Sequence, residues 1–418
     1  MRLLILGLNY SPEPVGIGRY TGELATWLAG RDHQVDVITA PPYYPQWRFQ
    51  PPFRNRYGVE RSTVGGCGSL IVRRCPLWVP RQPSTLKRLL HLASFALSAT
   101  PPLLARLRHP PDRLLVIAPA FFCAAPALLF TALARLLGRP VPVVLHIQDF
   151  ELDAAFELGF IGVGPIRAWA EALERFVLRR FTAVSSISPA MCERLATKGV
   201  EPSRIWLFPN WVDCGAIEPE PTPAQPAWRA ELGLPADAVV ALYSGSMNRK
   251  QGLDVLAECA SRLASHSTLH WIFCGAGPTR AAFEAACAAL PRVRFLPLQP
   301  AERFFALLQL ADIHLLPQQA GAADVVMPSK LLAMLASGRP VLATAETNTG
   351  LAAAINGENP CGLVTPPGDA PAMAAAARTL ADSPALRSAM GAAARQRAML
   401  EWDRDAVLDK FEKNLKIL

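Results

Sequence analysis

Apolar runs of strand length alternate with amphipathic stretches of helix length through most of this chain. In the first half, Leu3 to Leu8 predicts a buried strand, Gly18 to Gly30 an amphipathic helix and Val35 to Thr39 a second strand. Further strands are predicted at Leu114 to Ala118, Val141 to Ile147, Ala183 to Ile187 and Trp206 to Pro209. Helices fall between them: Leu86 to Leu107, interrupted at Pro101-Pro102, then one ending near Gly138, one over Pro165 to Arg180 and one opening at Ser188-Pro189. A long Pro- and aromatic-rich excursion, Pro41 to Pro83, carries one predicted strand, Leu70 to Arg74. Irregular stretches of that length inside a domain usually serve a function.

From Val212 to Trp228 prolines cluster, as in a linker, and the alternation then restarts. Strands are predicted at Val239 to Ser244, Leu269 to Cys274, Val293 to Leu296, Ile313 to Pro317 and Val341 to Thr344. Helices Gly252 to Leu263, Pro278 to Leu290, Arg303 to Leu310 and Ser329 to Ala336 separate them. Repeated βα units imply parallel sheets with helices on both faces. The fold class is therefore α/β, with two Rossmann-like doubly wound domains over residues 1–213 and 214–399. Such domains bind ligands outside the carboxyl ends of their strands, here in a cleft expected between the two. An Ala/Arg-rich helix near Ala385 to Met399 and the segment 400–418 have no strand to follow, and the segment is expected to complete the first domain.

Composition agrees with two buried cores: of 418 residues 51% are apolar and 18% charged. The net charge of +8 is unevenly placed, with 24 basic against 15 acidic residues through Asp213 and 18 against 19 after it. Such a basic excess is either a solvated face or a partner surface for nucleic acid, phosphorylated substrate or an anionic membrane. The chain carries no nucleic-acid-binding motif, so nucleic acid is not an expected partner. Nine scattered cysteines without a Cys-x-x-Cys argue for reduced thiols in a cytoplasmic setting and against zinc or a disulfide framework. The start, Met1 to Gly7, reads as a first strand and not as a signal peptide. The charge-free run Leu114 to Ala134 is long enough for a bilayer, but Pro119 and Pro126 interrupt it and a buried strand and helix fit better.

Candidate chemistry gathers at the predicted strand ends. Pro328-Ser329-Lys330 opens a helix with a hydroxyl and an ammonium, a ready anion site suited to the diphosphate of a nucleotide sugar. The loop Asn9 to Tyr20, with Gly16 and Gly18, follows a strand and opens a helix, so its backbone can approach a phosphate or sugar. It is not Gly-x-Gly-x-x-Gly, which disfavours a nicotinamide cofactor. In the second domain Gly245-Ser246 is followed by Arg249 and Lys250, two cations able to neutralise a diphosphate leaving group. Gly275 and Gly277 repeat the strand-to-helix glycine turn, and Leu296 to Gln299 could offer backbone groups to a nucleobase. His146, followed by Asp149, Glu151 and Asp153, ends a first-domain strand and suits a site for sugar hydroxyls. The lone Asp-x-Asp, Asp403 and Asp405, lies in the terminal segment, so no catalytic metal and no cofactor are expected.

Taken together these positions resemble the family-4 retaining glycosyltransferases of GT-B fold, and more narrowly the colanic-acid-type fucosyltransferase group. The resemblance rests on Asn9-Tyr10-x-Pro12-Glu13-x-x-Gly16-x-Gly18, Pro41-Pro42-Tyr43-Tyr44-Pro45, Gln148-Asp149-x-Glu151-x-Asp153, Ser188-Pro189-x-Met191, Pro209 to Asp213, Gly245 to Gly252 and Pro328-Ser329-Lys330-Leu331. It implies transfer of a sugar, fucose from GDP-fucose being one option, from a nucleotide-diphosphate sugar to a polyprenyl-diphosphate-linked saccharide. The setting it implies is exopolysaccharide synthesis at the inner face of the cytoplasmic membrane, with retention and without metal. By position, Arg249 and Lys250 would hold the diphosphate with Ser329 and Lys330, Gly16 and Gly18 would line the cleft, Leu298 would meet the base and His146 the reacting sugar. Two features depart from the family pattern: Ala333 stands where many relatives have the second Glu of a Glu-x7-Glu pair, and Ser246 where an arginine is common. A nucleotide-sugar 2-epimerase of the same shape and a non-catalytic assembly subunit are the rival readings.

Overall fold

The apolar runs of the first half form one eight-stranded sheet, and those of the second half a six-stranded one. The computed structural model describes the chain except for residues 14–15, 83, 118–119, 151–164, 218–223 and 322–327. Its contacts divide into one unit of Met1–Asn210 with Leu408–Leu418 and a second of Trp211–Val407.

The first unit contains β1 (Arg2–Gly7), β2 (Gln34–Thr39), β3 (Gly58–Val64), β4 (Gly68–Arg74), β5 (Arg113–Ile117), β6 (Val143–Ile147), β7 (Ala183–Ser186) and β8 (Ile205–Leu207). They lie in the order β3-β4-β2-β1-β5-β6-β7-β8, and every pair is parallel except β3 with β4. Helices α1 (Gly16–Gly30), α2 (Thr85–Leu104), α3 (Ala120–Leu136), α4 (Pro165–Leu178) and α5 (Pro189–Thr197) supply the crossovers. Ser188 caps α5, its hydroxyl accepting from the Met191 amide at 3.2 Å. Strand order reverses between β1 and β5, so the ends of these two strands open the crevice where such sheets bind ligands.

In the second unit β9 (Val239–Ser246), β10 (Leu269–Ala276), β11 (Val293–Leu296), β12 (Ile313–Leu316), β13 (Val341–Thr344) and β14 (Gly362–Thr365) lie in the order β11-β10-β9-β12-β13-β14, all parallel. Reversal here falls between β9 and β12. The helices are α6 (Ala224–Glu231), α7 (Asp254–Arg262), α8 (Arg280–Cys287), α9 (Ala301–Leu310), α10 (Ser329–Ala336), α11 (Gly350–Asn356), α12 (Ala370–Asp382) and α13 (Pro384–Glu401). A last helix, α14 (Arg404–Ile417), runs from the second unit into the first.

Several local expectations are corrected. The prolines at 101 and 102 do not interrupt α2. Pro102 cannot donate to the Ser98 carbonyl, and the Tyr57 hydroxyl donates to that oxygen instead at 2.9 Å. Pro126 likewise lies inside α3. The excursion contains a second strand, β3, whose residues are mostly exposed. As a polar edge strand it has no apolar alternation to betray it. The expected linker contains α6, and the stretch after Thr344 adds α11, β14 and α12 to the second unit.

The end of the chain is fastened to the first unit by Glu412. This buried carboxylate accepts from His33 Nε2 at 2.7 Å and from Arg31 Nε at 3.1 Å, while Phe411 stacks on Phe208 at 3.7 Å between ring centroids. Burial alone would raise its pKa, but Lys416, His33 and Arg31 outweigh that and hold it below the usual carboxylate range. A depressed carboxylate pKa contributes stability above the unfolded-state value and loses it as the pH falls. Glu412→Gln should therefore cost about 2 kcal/mol in urea unfolding at pH 7, with the difference shrinking in acid as wild-type Glu412 is protonated.

Candidate functional site

Two arrangements of polar groups lie at the switch points, one in each unit. In the second unit, the carboxyl ends of β9 and β10 meet through glycines. A Cβ on Gly275 would fall 1.9 Å from the Gly245 carbonyl oxygen, and one on Gly277 would fall 2.0 Å from that of Met247. The crossing is therefore open only to glycine at both positions. Beyond it the chain makes a short turn, Arg249–Gln251, stopped by Gly252 at φ 58°. Gly252 packs against Gln319, whose amide donates to the Lys250 carbonyl at 3.2 Å. The turn is thus tied to the segment that follows β12.

Helix α10 is seated rigidly beside this turn. Leu331, Leu332, Leu335 and Ala336 are buried, and Arg395 donates to the Ala336 carbonyl at 2.6 Å and to that of Ile217 at 2.8 Å. At the other end, Lys330 reaches back to the β9 terminus. Its Nζ lies 2.9 Å from Gln251 Oε1, 4.7 Å from the Tyr243 ring centroid and 3.5 Å from where a Cβ on Gly245 would stand. Among the described residues no carboxylate offsets its desolvation, which lowers the pKa of Lys330 to about 8. A cation so placed favours an incoming anion. Nearby, Asn248 Oδ1 and Thr279 Oγ1 are buried without a hydrogen-bond partner among the described residues, a state that a bound ligand would relieve.

The first unit has a cavity of about 580 Å³ whose lining includes Asn9, Gly16, Gly18, Tyr43, Trp47 and His91. Glu13 forms its wall. Its carboxylate accepts from Asn9 Nδ2 at 2.9 Å and from the Tyr43 and Tyr44 amides, each at 3.2 Å, yet burial still raises its pKa. Gly18 makes room for it, since a Cβ there would lie 2.7 Å from Glu13 Oε2. His91 Nδ1 donates to the Trp78 carbonyl at 2.6 Å, so the neutral tautomer presents a bare acceptor at Nε2, which is buried and has no partner among the described residues. Burial lowers the His91 pKa, and its ring packs edge-on against Tyr43 at 4.8 Å. Aromatic faces beside a hydrogen-bond acceptor suit a sugar ring. Asp149 stands on the same lining, its pKa raised by the surrounding protein. A larger concavity of about 670 Å³ lies at the amino ends of β1 and β5, away from the switch point, lined by Arg2, Asp112, Arg139 and Lys416 among others.

The residues expected from the sequence are distributed as follows. Gly245, Gly275 and Gly277 form the crossing, with Ser246, Arg249 and Lys250 exposed just beyond it. Ser329 is exposed at the head of α10, and Leu298 is exposed after β11. Gly16, Gly18 and Asp149 share the first-unit cavity. His146 is not on its lining: the ring is buried, 3.0 Å from Ser185 Oγ and 4.9 Å from the Phe208 centroid, and burial lowers its pKa to about 3. That packing is a core role. Glu151 and Asp153 lie outside the described residues. Among the described residues no three His, Cys, Asp or Glu side chains converge as metal ligands, and no helix is long and apolar enough to cross a membrane. Sequence reasoning did not single out Glu13, His91, Tyr243, Gln251, Asn248 or Thr279 as site residues. Glu13, Asn248 and Gln251 sit within the motifs that carry the resemblance, whereas His91 falls on a helix position that reads as core.

Comparison with known proteins follows the division into units. Residues 15–211 match the glycosyl transferase 4-like domain, and residues 238–383 match the glycosyl transferases of group 1. The chain is 43% identical over 356 residues to a colanic acid biosynthesis glycosyl transferase, WcaI, of Escherichia coli (strain K12), covering 84% of this chain and 85% of that one. It is 34% identical over 223 residues to the D-inositol 3-phosphate glycosyltransferase of Kineococcus radiotolerans, about half of each chain. Among solved structures, sucrose-phosphate synthase from Thermosynechococcus elongatus superposes with a TM-score of 0.71 at 17% identity over 100% of this chain and 98% of that one. Anabaena HepE in complex with UDP-glucose gives 0.66 at 16% identity over the whole of both chains.

The glycine crossing yields a direct test. Gly277→Ala, which drives a methyl into the Met247 carbonyl, should destabilise the protein by about 3 kcal/mol in urea unfolding. Gly16→Ala, whose Cβ would meet nothing within 4 Å, should cost only the left-handed backbone strain of about 1 kcal/mol.

Proposed function

The chain belongs to the glycosyltransferases whose first domain is of the glycosyl transferase 4-like type and whose second is of group 1, and we propose that it moves a sugar from a nucleotide-diphosphate donor to a lipid-linked saccharide in cell-surface glycan assembly. The observation that carries this reading is Lys330: an ammonium on the first turn of α10, desolvated, without a carboxylate partner among the described residues and aimed at the glycine-bared end of β9. An anion of diphosphate size fits that corner, with the α10 amides, Arg249 and Lys250 as further donors. Asn248 Oδ1 and Thr279 Oγ1 offer partners for donor hydroxyls, in place of the carboxylate that Ala333 lacks.

In the first-unit cavity the acceptor sugar would stack against Tyr43 and Trp47 and donate a hydroxyl hydrogen to His91 Nε2. We assign retention of anomeric configuration and catalysis without a metal to this reading. Colanic acid synthesis, named for WcaI, is the pathway class it favours, and GDP-fucose is a donor to be tested first. The acceptor's lipid places the enzyme at the inner membrane face as a peripheral protein.

The test is a panel of nucleotide sugars incubated with and without lipid-linked saccharides extracted from membranes. Transfer from one donor only in the presence of acceptor is the expected result. Isomerisation of a donor without acceptor would replace this reading by a 2-epimerase, and failure to bind any nucleotide would leave a non-catalytic assembly subunit. In calorimetry, affinity for the matching nucleoside diphosphate should fall as the pH rises above about 8, by up to about tenfold per unit, because the free ammonium then loses its proton. Lys330→Arg should flatten that profile and Lys330→Met should weaken binding throughout. His91→Phe, which keeps an aromatic ring but removes both Nε2 and the Nδ1 hydrogen bond to the Trp78 carbonyl, should leave nucleotide binding intact and lower transfer by roughly tenfold or more.

A further inference from the structure

Helix α2 is apolar on two opposite faces. One face, His91, Phe95, Ala99 and Leu103, is buried in the first unit. The other, Leu86, Leu90, Ala93 and Leu97, repeats at helical spacing with Leu89 beside it, and its four leucines are exposed, Leu97 to 76%. A stripe of this length on a surface helix marks a contact.

Its surroundings identify what it contacts. Two aromatic residues are fastened along one flank: the Trp78 amide donates to Ser94 Oγ at 2.9 Å, and the Tyr57 hydroxyl donates to the Ser98 carbonyl at 2.9 Å. Both rings are half exposed. Asn55 ties the two aromatic segments together, donating to the Leu77 carbonyl at 2.8 Å and accepting from the Leu77 amide at 2.9 Å. Arg54 and Arg56 therefore stand on the same surface as Arg81 and Lys87, all four exposed and without a salt bridge among the described residues. Glu60 is the single acidic residue between Asp36 and Asp112, against eleven Lys and Arg, and it is engaged by Arg74. An apolar stripe with an aromatic flank and an uncompensated cationic rim is complementary to an anionic lipid surface. A second copy of this chain would set the same cations against one another.

We propose that the outer face of α2 and its Tyr57–Trp78 flank lie in the headgroup region of an anionic membrane, with the leucines entering the acyl boundary. This deepens the reading of a lipid-linked acceptor and rests on it for its purpose, but it is tested separately. Wild-type protein is to be floated with vesicles of phosphatidylcholine alone and with roughly one third phosphatidylglycerol. The expected result is binding to the anionic vesicles that drops at least tenfold in Leu86→Gln/Leu90→Gln/Leu97→Gln and in Arg81→Glu/Lys87→Glu. Both variants alter exposed side chains, so their far-UV spectra, melting and calorimetric nucleotide affinity should match wild type. Binding unchanged in both variants, no binding by wild type, or a wild-type dimer that the leucine variant dissociates in sedimentation would each overturn the proposal. Vesicle binding through this face by a protein that elongates no lipid-linked acceptor would sustain the surface and remove the acceptor assignment. Elongation in detergent without vesicle binding would do the reverse.

Discussion

Two backbones pass at the carboxyl ends of β9 and β10 with less room than a methyl group needs. Gly275 faces the Gly245 carbonyl and Gly277 that of Met247, and this contact sets where the following turn, Arg249–Gln251, can stand. Everything in the candidate donor corner depends on it. Lys330 enters the space left bare at Gly245, finds Gln251 and the Tyr243 ring, and meets no anionic partner among the described residues. Arg395 and the buried leucines of α10 hold the helix that carries it, so the ammonium is positioned before any ligand arrives. The desolvation of Lys330 is the physical cost of that readiness, expressed as a pKa lowered to about 8.

The first unit uses a carboxylate in a comparable way. Glu13 is buried against Gly18 and gathers the Asn9 side chain and the Tyr43 and Tyr44 amides, fixing the aromatic excursion over the end of β1. His91 completes the same lining from α2 with its free nitrogen buried. Helix α2 thus joins two environments. Its inner face supplies the cavity, and its outer stripe of leucines is the surface assigned above to lipid. An enzyme that acts on a lipid-borne sugar has a use for both on one helix.

Much of the architecture was legible because parallel, doubly covered sheets leave long apolar runs. The helix Ser329–Ala336 and the strand Val341–Thr344 are read from their apolar runs, bounded by Pro328, Gly338 and Pro340. Legibility failed where the determining contact is distant in sequence. Pro101 and Pro102 signal a break that the Tyr57 hydroxyl makes unnecessary, and the polar strand Gly58–Val64 has only its partner β4 to define it. At the site, the glycine turns and Lys330 announce themselves. The Lys330–Gln251 contact, the bare His91 nitrogen and the core packing of His146 against Ser185 and Phe208 depend on side-chain directions that no motif encodes.

If a nucleoside diphosphate is held where α10 meets the glycine crossing, its binding should protect the backbone there. Amide hydrogen exchange, recorded with and without saturating GDP or UDP, examines that corner directly. The recognised nucleotide should slow exchange at Ser246 to Gly252 and at Ser329 to Leu331. Slowing confined to other segments, or none with either nucleotide, would contradict it.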